Sequence, residues 1–147
     1  MIKFTDERIE EIQKETFKEG KMNLFPEELK KELKKFPIYS QEDKGLNKIP
    51  IIKYFNASGV GTWIVFEGEE QGNDIEFFGL VNLAEWEFGY FTLNQLKEIQ
   101  NSGHLIEIDL FSHFDTLEDF IKQEHLEEEF DYLFKNEEEE EWSTIEN

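Results

Sequence analysis

Cysteine is absent from the 147-residue chain, and its absence removes a whole group of functions. Without a thiol there is no disulfide, no thiolate metal site and no cysteine nucleophile. Long apolar runs are also missing, and the first residues hold no apolar signal core. A membrane-spanning helix needs about 20 apolar residues, so we expect a cytoplasmic protein that does not bind membranes.

Basic residues are scarce in the second half of the chain. Residues 1–56 contain 12 Lys and Arg against 11 Asp and Glu, whereas residues 57–147 contain 3 against 24. The formal net charge of −20 therefore belongs to one part of the molecule. Such a field repels phosphates and attracts basic surfaces, so we expect a basic protein partner and no direct nucleic-acid binding. The alternative is that the charge only maintains solubility.

Recognisable catalytic motifs are missing as well. The glycines at 59 and 61 lack the third glycine and the Lys-Ser/Thr pair of a phosphate-binding loop. No Gly-x-Ser-x-Gly elbow occurs. His104, His113 and His125 are far apart, and none has a second histidine at ligand spacing. We therefore predict no catalytic residue, no metal and no cofactor.

Aromatic residues are abundant and concentrated in one stretch. The chain holds 15 Phe, and residues 77–93 combine aromatic side chains with Gly79 and Gly89. This pattern predicts two adjacent strands. Thr92-Leu93-Asn94-Gln95 then matches a capping box, which predicts a short helix directly after the second strand.

The remaining periodicities predict an α+β fold in one domain over residues 1–136. Two N-terminal helices are indicated, the first between a Thr5 cap and a Gly20 stop. We expect a small antiparallel sheet of about five strands, with N- and C-terminal helices packed on one face. The expected strands are 51–55, 62–66, 74–82, 85–91 and 105–110, with a polar turn over 68–73.

The C-terminal region is predicted to be helical and then disordered. A helix is expected from Asp115 to about Phe134, and the five-residue step from Ile121 to Leu126 predicts a kink or two separate helices. Residues 137–147 contain five consecutive glutamates. We expect them to form a flexible acidic tail, because such a segment buries too little surface to become ordered.

Strand alternation places several carboxylates on the less apolar sides of the predicted strands: Glu76, Glu85, Glu87, Glu107 and Asp109. Lys53 is the only plausible counter-ion. The first interpretation is a solvated sheet face, and the second is an acidic interaction surface. The third is a catalytic carboxylate pair, which requires one carboxyl group in an apolar pocket to separate the two pKa values.

A series of motifs over residues 33–111 resembles a bacterial family of unknown function, the one numbered 2958. The motifs are Phe36-Pro37-Ile38-Tyr39-Ser40-Gln41-Glu42, Lys53-Tyr54-Phe55, Thr62-Trp63, Phe77-Phe78-Gly79-Leu80-Val81, Glu87-Phe88-Gly89-Tyr90-Phe91-Thr92-Leu93-Asn94-Gln95-Leu96 and Ile106-Glu107-Ile108-Asp109-Leu110. Where the family tends to read Glu-Arg-Asp, this chain has Glu107-Ile108-Asp109. The resemblance implies a plasmid, phage or other mobile-element setting, and hence a bacterial host cytoplasm.

These observations lead to a first hypothesis of a non-enzymatic accessory protein. Its acidic half would imitate nucleic acid and occupy a basic, nucleic-acid-binding surface on a host defence protein, as an anti-CRISPR or anti-restriction inhibitor does. The residues predicted to bind the partner are Glu76, Glu87, Glu107, Asp109, Glu118, Asp119, Glu124, Glu127, Glu128, Glu129 and Asp131.

Two alternatives from other classes remain open. One is a hydrolase or nucleotide-processing enzyme that uses Tyr39, Glu42, Glu87 and Glu107, and it predicts a cleft that gathers these side chains. The other is a scaffold or oligomerisation module, for which exposed Phe and Trp outside the core would be the sign. The oligomeric state does not follow from the sequence.

Overall fold

The computed structural model describes residues 1–135, which form a five-stranded antiparallel sheet and its flanking helices. The predicted tail over 137–147 lies outside the described residues. In chain order the elements are α1 (Asp6–Glu19), α2 (Glu27–Leu33), a 3₁₀ turn (Gly45–Asn47), β1 (Ile52–Asn56), β2 (Thr62–Gln71), β3 (Asp74–Asn82), β4 (Trp86–Thr92), α3 (Leu93–Asn101), β5 (Ile106–Ile108) and α4 (Leu117–Gln123).

The strands lie in the order β4-β3-β2-β1-β5, and every neighbouring pair is antiparallel. The first four form a meander, because short turns join each strand to the next. The chain then passes through α3 and returns to the opposite edge, where Ile108 of β5 lies opposite Tyr54 of β1. The α+β class and the antiparallel five-stranded sheet are therefore confirmed.

The predicted helix ends are also confirmed. The Thr5 hydroxyl accepts a hydrogen bond from the Arg8 amide at 3.1 Å, and Gly20 ends α1 with a left-handed φ of 77°. At α3 the Thr92 hydroxyl accepts from the Gln95 amide, while the Gln95 side chain accepts from the Thr92 amide. This reciprocal arrangement is the capping box that the sequence predicts.

The helices lie on both faces of the sheet, which differs from the prediction that those of both termini share one face. Val65 packs in a core with α1, α2 and α3, whereas the adjacent Ile64 packs in a second core with α4. Successive strand residues point to opposite faces. Because both residues are fully buried, each face needs its own covering layer.

Strand β2 is longer than predicted, since the segment expected to be a polar turn over 68–73 continues the strand to Gln71. Its pairing with β3 shifts between Val65 and Glu67, so Phe66 forms a β-bulge. Gly79 of β3 lies opposite Val65, and a Cβ there would collide with the Ile64 carbonyl oxygen. The aromatic stretch thus needs glycine at this position for backbone approach.

The predicted break in the C-terminal helix is confirmed. Helix α4 ends at Gln123, and His125 has a positive φ of 56° that no continuous α-helix contains. Residues 124–125 and 127–130 form turns, and residues 131–135 are helical again. The segment from Thr116 to residue 135 therefore folds over the second core in two pieces.

Candidate functional site

Ten of the eleven predicted binding residues lie on the α4 side of the sheet. Glu76 alternates with Ile75 and Phe77 of the first core, so its side chain projects from the opposite face. Glu107 alternates in the same way with Ile106 and Ile108. The others belong to the loop after β5 or to the C-terminal segment that packs there. We call this set the acidic face: Glu76, Glu107, Asp109, Glu118, Asp119, Glu124, Glu127, Glu128, Glu129 and Asp131.

Glu87 is the exception. It lies opposite Val81, which packs against the first core, so it projects from the other face of the sheet. There it lines a cleft of about 500 Å³ between β4 and α3, together with Glu98 and the ring of Trp63. The carboxylates of the strands therefore do not form one continuous stripe.

Asp109 has an internal structural role. Its carboxylate accepts hydrogen bonds from the amides of Phe111 and Ser112 at 3.0 Å and lies 3.5 Å from the Lys53 ammonium. Burial by itself would raise the pKa of Asp109, but these hydrogen bonds, that of the Ser112 hydroxyl and the Lys53 charge outweigh burial and lower the pKa. Lys53 is thus the counter-ion that the sequence indicated.

The acidic face includes few basic side chains. Residues 115–135 contain eight carboxylates and two lysines, Lys122 and Lys135. Both lysines are bonded to carboxylates of the same segment, Lys122 to Glu118 at 3.4 Å and Lys135 to Asp131 at 2.7 Å. Most carboxylates of the segment therefore have no lysine within salt-bridge distance.

Two glutamates on this side face each other directly across the sheet. Glu69 of β2 lies opposite Glu76 of β3 in the antiparallel register. Directly opposed residues have Cβ atoms about 4.5–5.5 Å apart, and like charges in such pairs are destabilising. Neither carboxylate has a salt-bridge partner among residues 1–135.

A cavity of about 360 Å³ opens beside this glutamate pair and is called here the Lys48 cavity. Its apolar wall is formed by Phe78, Phe88, Tyr90 and Leu133. The rings of Phe78 and Phe88 lie nearly parallel, with an interplanar angle of 11° and centroids 6.1 Å apart. Its polar wall consists of Tyr39, Glu42, Lys48 and Glu67.

The β-bulge at Phe66 brings Glu67 into this wall. Because the bulge adds a residue to β2, Glu67 lies opposite Phe78 and projects from the α4 side. Glu67 is 2% exposed, and its two carboxylate oxygens accept the amides of Tyr39 at 2.9 Å and Gln41 at 2.6 Å. A buried carboxylate thus holds the loop that carries Tyr39 and Glu42.

Gln41 fastens the same loop to the sheet. Its side chain is fully buried, donates to the carbonyls of Ile49 and Phe66 at 2.8 Å and accepts from the Ile49 amide at 2.6 Å. Under these constraints Tyr39 adopts a φ of 74°. The left-handed region is costly for a side chain of this size, and such strain concentrates at functional sites.

Tyr39 and Tyr90 lie next to each other at the cavity mouth, and both are exposed. The pKa of Tyr90 is raised by partial desolvation and then by the Tyr39 hydroxyl and the charges of Glu67 and Glu76. A tyrosine hydroxyl is protonated at neutral pH in any case, so Tyr90 can donate a hydrogen bond there.

The predicted enzyme set is not gathered in one place. Tyr39 and Glu42 share the Lys48 cavity, Glu87 lines the cleft on the other face, and Glu107 lies on edge strand β5. As an edge-strand residue, Glu107 also borders a third cleft, of about 310 Å³, which Phe17 of α1 lines as well. Phe17 is 91% exposed and Phe111 is 73% exposed, so the sign expected of a scaffold is present at two separate positions.

Sequence reasoning missed Lys48, Glu67 and Gln41. The motif of residues 36–42 contains part of this signal, but its partner Glu67 lies between the predicted strand 62–66 and the predicted turn 68–73 and has no predicted role. Residues 1–135 hold no group of three His, Asp or Glu side chains that could bind a metal ion. The His113 ring nitrogen Nε2 lies 3.0 Å from an oxygen of Asp115.

The fold and its acidic face define a small α+β domain with helices on both sides of an antiparallel sheet. The comparison with family models places the chain among known sequences: residues 24–129 match the model described as "Protein of unknown function (DUF2958)". The match covers more than two thirds of the chain, and the chain belongs to this family. No curated protein and no solved structure matches it significantly. Among residues 1–135, no helix has the length and apolar character needed to cross a membrane.

Proposed function

We propose that the chain is a non-enzymatic binding protein whose acidic face occupies a basic, nucleic-acid-binding surface of a protein partner. The observation that carries this proposal is the joint placement of ten predicted carboxylates on one side of the sheet. The first core and helices α1 to α3 lie on the other side. A field of one sign over a whole face attracts an oppositely charged surface and accelerates encounter with it.

The arrangement of charges supports an electrostatic partner of this kind. Glu69 and Glu76 are opposed across the sheet although the pair costs stability. Glu127, Glu128 and Glu129 are exposed in consecutive positions. A basic partner that lies on this face would neutralise repulsions that the isolated domain tolerates.

Nucleic-acid mimicry is the concrete form of the proposal. Duplex DNA carries one negative charge per about 1.7 Å of axis, so proteins that bind it present dense basic surfaces. We propose a host defence effector as the partner and an anti-CRISPR or anti-restriction role for the chain. The mobile-element setting implied by the sequence resemblance supports this choice, and the action would take place in the host cytoplasm.

The test compares two triple variants with the same change in charge. E127Q/E128Q/E129Q neutralises part of the acidic face, and E7Q/E15Q/E19Q neutralises three exposed glutamates of α1 on the other side. Capture of basic host proteins by the immobilised full chain is measured at about 0.05 and 0.5 M salt, where the Debye length differs about threefold. We expect capture at low salt only, its loss in the first variant and its retention in the second. Equal capture by both variants, or capture that is independent of salt, would refute the proposal.

A hydrolase or nucleotide-processing enzyme is the second candidate. The observation in its favour is that Tyr39 and Glu42 do share a cavity, together with the buried groups Glu67 and Lys48. The separation of Glu87 and Glu107 from this cavity weighs against the four-residue set that the sequence suggested. For this reason the acidic-face proposal comes first.

A further inference from the structure

The Lys48 cavity carries an inference that is independent of the acidic face. It lies where the loop of residues 36–48, the bulged end of β2 and the C-terminal helical turn meet. A volume of about 360 Å³ is at the lower end of the range of small-molecule pockets. The cavity is therefore large enough for one compact ligand and too small for an extended one.

Lys48 gives the cavity a donor that has no protein partner within residues 1–135. The residue is only 8% exposed, yet within residues 1–135 its ammonium has no hydrogen bond and no carboxylate oxygen within 4.0 Å. Burial lowers the pKa of Lys48, and Glu67, Asp43 and Glu42 oppose this effect from a greater distance. Residues 1–135 hold no fully buried side-chain nitrogen or oxygen without a hydrogen-bond partner, so the Lys48 ammonium reaches the solvent of the cavity. A ligand in the cavity that offers an acceptor can therefore bond to it.

Acceptors face the same space. Glu67 uses each carboxylate oxygen for one backbone amide, and a carboxylate has about four acceptor positions. Glu42 is exposed and lines the cavity mouth. The two carboxylates outnumber the one lysine, so the lining carries net negative charge. A ligand with a phosphate or another anionic group is therefore disfavoured, whereas an uncharged ligand with its own N–H donors fits.

The apolar wall determines the shape of the ligand. The rings of Phe78 and Phe88 lie nearly parallel in this wall, and Tyr90 lies beside Phe78 with a centroid distance of 5.1 Å. Nucleobases stack on aromatic side chains of this kind. Tyr39 lines the same cavity with its backbone held in the left-handed region.

We propose that the Lys48 cavity binds an uncharged, planar heteroaromatic ligand of the nucleobase or nucleoside class. The ring stacks on Phe78 and Phe88, a ring carbonyl or ring nitrogen accepts from Lys48, and an exocyclic or ring N–H donates to Glu42 or Glu67. This binding requires neither the acidic face nor a protein partner, so the two proposals fail or succeed separately.

The test titrates the full chain with adenosine, guanosine, cytidine and uridine, and with their 5′-monophosphates, by calorimetry and ligand-observed NMR. We expect at least one nucleoside to bind with a Kd below about 1 mM and its monophosphate at least about tenfold more weakly, a factor of ten being 1.4 kcal/mol. Lys48→Met should abolish the binding. Lys97→Met, which removes an exposed lysine of α3, should leave it unchanged.

Three results would overturn the proposal: no nucleoside binds, a monophosphate binds as tightly as its nucleoside, or Lys48→Met binds like the wild type. Folding is not a confounding factor, because methionine has nearly the shape of lysine and removes a buried charge. Thermal unfolding of Lys48→Met checks this, with a midpoint at or above that of the wild type expected.

Discussion

Tyr54 lies at the centre of the first core, where one polar atom must be satisfied away from water. The residue is fully buried, its ring packs on Phe77 with centroids 6.1 Å apart, and its hydroxyl donates to the Leu24 carbonyl at 2.6 Å. This hydrogen bond joins strand β1 to the segment that precedes α2. Burial raises the pKa of Tyr54 well above its ordinary value of 10.

Tyr54 gives the domain a specific alkaline sensitivity. Since the pKa is higher in the folded state, the unfolded chain loses the proton first. The stabilising contribution is complete below pH 10 and declines as the pH rises above that value. Tyr54→Phe should lower the free energy of unfolding by about 1–3 kcal/mol at neutral pH, because the Leu24 carbonyl is left unpaired. The stability of the variant should also decline less steeply above pH 10 than that of the wild type.

Urea unfolding of both proteins at several pH values between neutral and strongly alkaline measures this difference. The pKa of Lys48 is lowered by burial, so its titration makes the free energy of unfolding rise with pH instead of fall. This contribution is the same in both proteins and cancels in the comparison. Stability curves that remain parallel above pH 10 would show that Tyr54 does not titrate as its burial requires.

At the scale of elements, the two glycines of the aromatic stretch serve different purposes. A Cβ at Gly79 would collide with the Ile64 carbonyl oxygen of the neighbouring strand, whereas a Cβ at Gly89 meets no atom within 4 Å. Gly79 therefore allows β2 and β3 to approach beside the bulge that positions Glu67. In the sequence the two glycines look alike, and only the pairing of the strands shows that they have different roles.

Gly79→Ala and Gly89→Ala form a matched pair that tests this distinction. We expect Gly79→Ala to destabilise the domain by more than about 2 kcal/mol, because a backbone carbonyl cannot move aside as a side chain can. Gly89→Ala should change stability by no more than about 0.5 kcal/mol, as is usual for open positions. Denaturant unfolding measures both, and equal losses would contradict the packing described here.

At the scale of the whole molecule, charge and apolar packing are distributed separately. The net charge of −20 is carried by the second half of the chain, whose C-terminal segment also covers the second core. Leu117, Phe120 and Phe130 anchor this segment, while its carboxylates face solvent. Self-repulsion of a strongly charged surface destabilises the compact state.

Salt should therefore stabilise the domain while it weakens the proposed partner binding. We expect the thermal unfolding midpoint to rise between about 0.02 and 0.5 M sodium chloride, since the Debye length shortens over this range. The rise should be smaller in E127Q/E128Q/E129Q, which removes three of the repelling charges. A midpoint that is constant or falls with salt would show that repulsion on the acidic face is unimportant for stability.

Much of the architecture follows from local patterns that the sequence contains in full. The Thr5 cap, the Gly20 stop, the Thr92 capping box and the break near residue 125 each depend on a few adjacent residues. The short turns between successive predicted strands indicated the antiparallel sheet for the same reason. The family resemblance is likewise a property of the sequence and is confirmed by the family match.

The site depended on contacts between residues far apart in the chain. Alternation identified strand faces but not which faces coincide, so Glu87 was grouped with carboxylates that lie on the other side of the sheet. The placement of helices on both faces depended on how the two apolar sides of β2 are covered. The Lys48 cavity exists because a bulge turns Glu67 toward a loop 26 to 28 residues earlier in the chain. Local periodicity contains no information about such a contact, and only the tertiary structure decides it.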